Sequence, residues 1–406
     1  MATKAQAQKF CFVTSVFNES DRPAGAKANQ MRIACVAGGW YPQSPGGLEK
    51  YVYGMTQALL RAGDSVDLFV TGEPHLNAGA GHAYSIGRPG DALWKRMLDA
   101  RLAFAKSFRG PYDVVNLHFA MNALPLIPFI DHRTPRVVHF HGPWAAESRA
   151  EGGSALSAAI KGTLERLIYQ RADRFITLSS AFKALLVAYG VDADRVSVIP
   201  MGIDCDFFRP ATDRAAVRKA LGWPPDATIF FTARRLVNRV GLLELLKAAS
   251  LARESHPNFA LKIAGKGPLR GELEAAVDSL GLAAWVDLLG FVDEEELVRC
   301  YQAADVTVLP TQSLEGFGTI ISESLACGTP VIATPIGGMP EALAPLGRDL
   351  IARSAAPEDI AERMDAVLRG TLHLPNHDVC RAYAVAHFDW TVVYAQILEV
   401  FAAASC

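Results

Sequence analysis

The sequence lacks any apolar run long enough to cross a bilayer. Its longest, Phe119 to Ile130, is about a dozen residues and is broken by Pro125 and Pro128, whereas a spanning helix takes about 20. The first 30 residues do not form a secretory leader either. Their apolar stretch, Phe10 to Phe17, is short and runs into Asn18-Glu19-Ser20-Asp21-Arg22 instead of a small-residue cleavage site. Cysteine is sparse: Cys11, Cys35, Cys205, Cys300, Cys327, Cys380 and Cys406 are seven in number, and no two sit at CxxC spacing. That excludes a sequence-local zinc site or dithiol motif and points to buried free thiols in a reducing cytoplasm. A charge excess is also missing. The formal net charge of −2 gives no global pull on nucleic acid.

What is present is an ordinary globular composition. Half of the 406 residues are apolar and a fifth are charged, enough for two or three domains with sizeable cores, and unlike a disordered, collagenous or coiled-coil chain. Short β-rich apolar runs alternate with helical patterns. Met31 to Ala37, Val66 to Val70, Asp113 to Leu117, Arg136 to Phe140, Arg174 to Leu178 and Val196 to Ile199 read as strands. Leu48, Tyr51, Val52, Met55, Leu59 and Leu60 recur at helical spacing between the first two. A polar stretch between Phe207-Phe208-Arg209-Pro210 and Trp223-Pro224-Pro225 reads as a connection. A second series then begins, with strands over 228–232, 259–264, 285–288, 305–309 and 330–333 and helices between them. Such alternation predicts parallel sheets covered on both faces, hence two Rossmann-like α/β domains in tandem. The expected division is an N-terminal extension over 1–30, domains over 31–210 and 211–390, and a C-terminal helical segment over 391–406.

Open α/β sheets bind ligands beyond the carboxyl ends of their strands. After the first strand, Gly46 and Gly47 open a helix whose first-turn amides favour an anion by roughly 0.3–1 kcal/mol, although the loop is neither GxGxxG nor Walker-like. A plain turn fits it equally well. After the strand 136–140, His141 stands beside Gly142 where side chains enter the crevice, while His139 reads as a core histidine. Arg234, Arg235 and Arg239 crowd one strand-to-helix loop, a pattern suited to phosphate oxygens, or a solvated basic loop. Gly316 and Gly318 free backbone amides at another helix start. Glu315 precedes that helix, and Glu323 lies within it among Ile320, Ile321, Leu325 and Ala326, where a carboxylate needs a partner.

At these residues the sequence resembles glycosyltransferase family 4, retaining sugar transferases of the GT-B fold. The resemblance runs from Met31 onward through an ordered series. Its members are Pro45-Gly46-Gly47-Leu48-Glu49, His139-Phe140-His141-Gly142, Arg171-Ala172-Asp173 with Ser179, and Ile199 to Asp204. The Arg235 loop, Gly265-Lys266-Gly267-Pro268 and Gly290-Phe291-Val292 follow. Glu315 to Glu323 then shows the family's E-x7-E spacing, and Ala326 to Ile332 and Gly337-Gly338-Met339-Pro340-Glu341 continue it. One departure stands out: Val240 occupies the place of the family's usual lysine.

The resemblance implies two Rossmann-like domains facing each other across a deep cleft, with a UDP- or GDP-sugar held by the second. By that carry-over, Glu323 binds the ribose, and Gly290 and Phe291 bind the base. Arg235, Arg239 and the amides of Gly318, Thr319 and Ile320 hold the diphosphate, with Gly47 approaching it from the other side. Glu315, Gly316 and Phe317 lie near the donor sugar, and His141 reaches across to it. Catalytic expectations therefore fall on His141, Glu315 and Arg235, with no cofactor and no metal; Asp204-Cys205-Asp206 is read as part of the Met201–Asp204 segment. The acceptor is a glycan, a lipid-linked intermediate or a small molecule. A nucleotide-sugar epimerase and a non-catalytic nucleotide-sugar-binding subunit are the alternatives. Residues 88–109 carry six basic against two acidic side chains, and Trp94, Leu98, Leu102, Ala105 and Phe108 share a helical face. That segment either packs on its domain or rests peripherally on the inner face of an anionic membrane.

Overall fold

The computed structural model describes residues 30–405, apart from 45, 75, 77–80, 119 and 151. The expected extension, Gln30 excepted, lies outside the described residues, as do Pro45 of the glycine loop, Phe119, Cys11 and Cys406. The chain begins with β1 (Arg32–Val36), α1 (Gly47–Arg61), β2 (Ser65–Val70), β3 (Gly81–Ser85) and α2 (Leu93–Ser107). There follow β4 (Val114–Leu117), the single turn α3 (Ala120–Ala123), β5 (Arg136–Phe140), α4 (Trp144–Ala150) and α5 (Ala155–Tyr169). β6 (Arg174–Thr177), α6 (Ser180–Ala188) and β7 (Val196–Val198) complete this half. Its seven strands form one parallel sheet in the order β3-β2-β1-β4-β5-β6-β7.

The polar stretch read as a plain connection contains a helix, α7 (Arg214–Ala220). Asp213 caps it by accepting the Ala216 amide at 2.9 Å. Arg214 and Arg218 clamp Asp305 at 2.7 and 2.5 Å, so the segment is fastened to the second sheet. Next come β8 (Thr228–Ala233), α8 (Leu242–Ser255), β9 (Phe259–Ala264), α9 (Arg270–Ser279) and β10 (Val286–Gly290). α10 (Glu294–Ala303), β11 (Val306–Leu309), α11 (Thr319–Ala326) and β12 (Val331–Ala333) finish the second sheet, ordered β10-β9-β8-β11-β12 and also parallel. Helices α12 (Met339–Leu343), α13 (Pro357–Leu368), α14 (His377–Phe388) and α15 (Trp390–Ala404) close the chain.

The expected α/β architecture is therefore two parallel sheets. Their strands are buried on both faces, which is why β9 reads as an unbroken apolar run apart from Lys262. In each sheet the strand order reverses once, between β1 and β4 and between β8 and β11. Crevices open beyond the strand ends at such points.

Several contacts fix one half against the other. The Ile203 amide donates to the Phe388 carbonyl at 2.7 Å and the Trp390 amide to the Ile203 carbonyl at 3.2 Å, returning the chain to the first sheet. α15 then packs on α1, β5 and β6, and the Tyr394 hydroxyl donates to Asp64 at 3.0 Å. The Trp390 indole fits against Gly54 and Gly202, where any Cβ would meet it. The Glu341 carboxylate accepts the amides of Ser180 and Ala181 at 2.8 and 3.1 Å, setting an acid at the start of α6.

Candidate active site

The strand ends and helix starts of both halves border one cleft of about 730 Å³. From the first half come Gly46 and Gly47 at the start of α1, and His118, His139 and His141 at the ends of β4 and β5. The second half contributes Arg234, Arg235 and Arg239 after β8, Phe291 after β10, Glu294 of α10, and Glu315 to Ile320 with Glu323. Of the residues expected at the donor and catalytic site, Gly290 alone does not border the cleft. Its carbonyl accepts the Gly265 amide at 2.6 Å, whereas Phe291 is 56 % exposed under the Lys266 ammonium, 4.7 Å from its ring.

Two helix starts face each other here. A Cβ on Gly47 would stand 3.4 Å from the Thr319 hydroxyl oxygen, in van der Waals contact, so α1 approaches α11 closely at this point. Gly318, the residue before α11, has φ 85°, a left-handed conformation that suits glycine. Having no side chain, it leaves the first-turn amides of α11 to a ligand. α1 is less suited to an anion, because Glu49 lies in its first turn and folds over Gly46.

Glu323 finds its partners in both halves. Its Oε1 lies 2.7 Å from Nζ of Lys50 on α1, and its Oε2 accepts the Tyr301 hydroxyl at 2.8 Å. Lys50 also pairs with Glu294 at 2.9 Å and lies over the Phe208 ring. Burial alone would lower the Lys50 pKa; Glu323 and then Glu294 outweigh it and hold the ammonium above its usual value. Lys50 and Tyr301 were not singled out from sequence. The demand of Glu323 for a partner was legible there, but which residue meets it depends on how α1 crosses α11.

The three arginines of the β8 loop all border the cleft, and two of them are also engaged within the second half. Arg234 is committed to Glu315, its guanidinium 2.5 Å from Oε2, and Thr311 stands 3.5 Å from the same oxygen. Arg239 donates to the Leu314 carbonyl at 3.1 Å. Leu314 takes φ 55°, unusual for a residue with a side chain. Val240 is buried in the core of the second half.

His141 belongs to a cluster of three. Its Nε2 lies 3.0 Å from Nδ1 of His118, and His139 Nδ1 lies 3.2 Å from that same His118 nitrogen. The Asn116 carboxamide nitrogen is 3.0 Å from Nε2 of His118. The Tyr51 ring stands tilted or edge-on to all three. Burial lowers the pKa of each, that of His141 to about 3, so all three imidazoles are neutral at ordinary pH. His139 is buried, as expected of a core residue, yet contacts this cluster. His118 was missed, although its place at the end of β4 is the one that drew attention to His141 at the end of β5.

Outside the cleft, Asp204 accepts the amides of Asp206 and Phe207, both at 3.0 Å, and so organises a turn. The described cysteines Cys35, Cys205, Cys300, Cys327 and Cys380 are free and buried. On α2, Ala100 and Phe104 are the residues that pack inward. Trp94, Leu98 and Leu102 are 71, 49 and 61 % exposed, and Ala105 is exposed as well. The proposed common face therefore divides: its first four members point outward and only Phe108 turns partly inward. Among the described residues no helix is long and apolar enough to cross a membrane.

Two parallel α/β sheets, with one cleft between their strand ends, define a GT-B fold. The chain aligns with sucrose-phosphate synthase from Thermosynechococcus elongatus at a TM-score of 0.77 and 23 % identity, over 92 % of this chain and 99 % of that one. Anabaena HepE in complex with UDP-glucose aligns at 0.74 and 18 %, over 92 % and 100 %. Residues 45–207 match Glycosyltransferase Family 4, and residues 213–384 match Glycosyl transferases group 1. The D-inositol 3-phosphate glycosyltransferase of Corynebacterium urealyticum is 28 % identical over 391 residues, covering 88 % of this chain and 90 % of that protein. Its counterpart in Nocardia farcinica is 30 % identical over 311 residues, covering 74 % and 68 %. The chain belongs to the family 4 glycosyltransferases, and it is a glycosyltransferase.

Proposed function

We propose that the protein transfers a sugar from a nucleoside-diphosphate sugar to a hydroxyl acceptor, with retention at the anomeric carbon. The observation that carries this reading is the convergence of Arg235, the amide-rich start of α11, Glu315, Glu323 and His141 on one cleft. Departure of the diphosphate builds negative charge. Arg235, Arg239 and the amides of Gly318, Thr319 and Ile320 are fixed donors toward it and need no rearrangement as the bond breaks. Glu323 takes the ribose hydroxyls, and Phe291 offers a face to the base. Gly47 approaches the phosphates from the first half, while Gly316 and Phe317 border the sugar.

Glu315 is held against Arg234. That ion pair suits a carboxylate that orients sugar hydroxyls better than one that attacks the anomeric carbon. His141, neutral through burial, is a hydrogen-bond partner for the sugar rather than a proton reservoir. The departing phosphate oxygen is then the base that takes the acceptor proton, on the face from which it leaves.

Residues 31–210 form the acceptor half in this reading, 211–390 the donor half, and 391–406 the segment that returns to the first. HepE was solved with UDP and with UDP-glucose, which favours UDP over GDP in the donor. Buried free thiols fit a reducing, cytoplasmic compartment. The outward stripe of α2, flanked by Lys95, Arg101 and Lys106, supports peripheral contact through 88–109 with an anionic membrane, and so a lipid-linked acceptor.

The deciding experiment is thermal stabilisation across UDP-, GDP- and ADP-sugars, each beside its free nucleotide and without added metal. Stabilisation by one sugar nucleotide is expected. No response from any of them, with the protein shown to be folded, overturns the donor site.

A further inference from the structure

The geometry points to a transition-metal site on the first-half wall of the cleft, in which His118 Nδ1, His139 Nδ1 and His141 Nε2 hold one ion of the zinc class. His118 Nδ1 has two close nitrogen neighbours, at 3.0 and 3.2 Å. An imidazole nitrogen carries either one proton or one lone pair in the ring plane. It completes one well-directed hydrogen bond, and the second neighbour must share that proton or that lone pair, or stand lone pair to lone pair. An ion uses all three lone pairs at once. Zinc holds imidazole nitrogens at about 2.0–2.1 Å, which in a tetrahedron spaces them roughly 3.3 Å apart. One nitrogen from each ring already lies within 4.8 Å of the others.

The surroundings support ligation. Metal ligands must be deprotonated, and an imidazole with its ordinary pKa near 6.5 is mostly so at neutral pH. Asn116 stands behind His118, and its Oδ1 is buried without a hydrogen-bond partner. Turning the carboxamide about Cβ–Cγ, which gives up the Nδ2 contacts with that nitrogen and with Met55 Sδ, would bring Oδ1 to the Nε2 proton of His118. That contact fixes the tautomer whose Nδ1 lone pair faces the other two rings, as outer partners of metal-bound histidines do. An all-imidazole donor set selects zinc, cobalt, nickel or copper over magnesium, calcium or manganese. Three ligands leave a fourth position. His141, the least buried of the three, sets it toward the cleft. There it takes a water or an acceptor oxygen. That last step alone rests on reading the cleft as the transfer site. The ion is separate from the diphosphate cations, which belong to the opposite wall.

The test is calorimetric titration of the untagged, EDTA-treated protein with Zn2+, repeated with Co2+ while the visible spectrum is recorded, in the absence of any sugar nucleotide. One ion per chain is expected, with the intense visible bands of tetrahedral cobalt. His118→Gln and His139→Gln should each weaken binding more than about tenfold, and Asn116→Leu by about 10–100-fold. Asn116→Asp, whose carboxylate accepts the His118 proton more strongly, should tighten it, a result that a merely unfolded variant cannot mimic. No binding at about 100 μM Zn2+, or affinity unchanged across these variants, overturns the site. Donor-induced stabilisation would survive that failure, so the two readings fall separately.

Discussion

Nζ of Lys50 lies 2.7 Å from Oε1 of Glu323, joining the first turns of α1 to the middle of α11 across the cleft. Glu323 is nearly buried, and Lys50 keeps about a fifth of its side-chain exposure (21 %). Removing Lys50 leaves the carboxylate with Tyr301 alone. Lys50→Met should therefore cost about 3 kcal/mol of stability, the lower end expected for a broken buried pair. The folded-state pKa of Lys50 is raised, so its contribution is complete below the unfolded value near 10.4 and is lost as pH rises through the folded one. Wild-type melting temperature should fall on that alkaline limb, and Lys50→Met should flatten it. An unchanged limb would show that Lys50 is not held by the carboxylates.

Arg235 and Arg234 should both matter to turnover, by different routes. Arg235→Ala removes the cation proposed to meet the leaving group and is expected to lower kcat/KM by about 10²–10³-fold. Arg234→Ala strands Glu315, whose side chain is 14 % exposed. It should therefore lose both turnover and about 1–3 kcal/mol of stability. Undiminished turnover in Arg235→Ala would remove it from the leaving-group role, and an unchanged melting temperature in Arg234→Ala would show that its pair with Glu315 does not stabilise the fold.

How much of this was legible in the sequence follows from what decides each feature. Strand and helix positions came from apolar runs and their periodicity, which local burial enforces. β3 escaped because Gly81 to Ser85 is an edge strand with no buried residue, so no apolar run marks it. α7 escaped because its evidence is a cap and two arginines reaching Asp305, some 90 residues away. Glycines and carboxylates of the cleft were found because their chemistry is local. Lys50, Arg234 as the partner of Glu315, and His118 were not, since each acts through a contact between strands or helices distant in sequence. Trp94 and Leu98 mark the limit from the other side, since sequence left open whether their face packs on the domain or turns outward. Their spacing gives a common face but not which way that face points.

The three cleft histidines should set the acid limb of stability. Their pKa values are lowered by burial, so the unfolded chain binds more protons than the folded one below about pH 6.5. Stability is therefore complete above that pH and declines as pH falls toward the folded values. Each ring contributes up to about 1.4 kcal/mol per pH unit. Melting temperature should begin to drop near pH 6, before carboxylates protonate, and His139→Phe should make the decline shallower. If turnover shows a histidine-like inflection between pH 6 and 7, His141 is not neutral in the working enzyme.

Gly54 and Trp390 offer a test whose sign reverses. A Cβ at Gly54 would lie 2.5 Å from the indole nitrogen, so Gly54→Ala should destabilise by about 1–3 kcal/mol through overpacking. Gly54 is also in the middle of α1, where alanine is intrinsically better than glycine by about 1 kcal/mol. With Trp390→Leu the clash is gone. In that background Gly54→Ala should raise the melting temperature, and a continued loss would mean that α15 does not clamp α1 as described.

The outward face of α2 carries the last prediction. Trp94, Leu98 and Leu102 lie one helical turn apart and are largely exposed, while Ala100 and Phe104 on the other side fill the core. Replacing the first three with serine removes apolar surface that is largely in water, so stability should change by less than about 1 kcal/mol, read as a small shift in melting temperature. Membrane affinity is a different matter. In the proposed peripheral contact, flanking Lys95, Arg101 and Lys106 would draw the helix toward anionic headgroups, and the apolar stripe would enter the boundary beneath them. Wild-type protein should co-sediment with phosphatidylglycerol-containing vesicles at low salt and come off as salt screens the basic residues. The triple variant should stay in the supernatant at every salt concentration. Equal sedimentation of the two proteins would show that charge alone drives binding, and no sedimentation of wild type would move the acceptor search from lipid-linked to water-borne compounds.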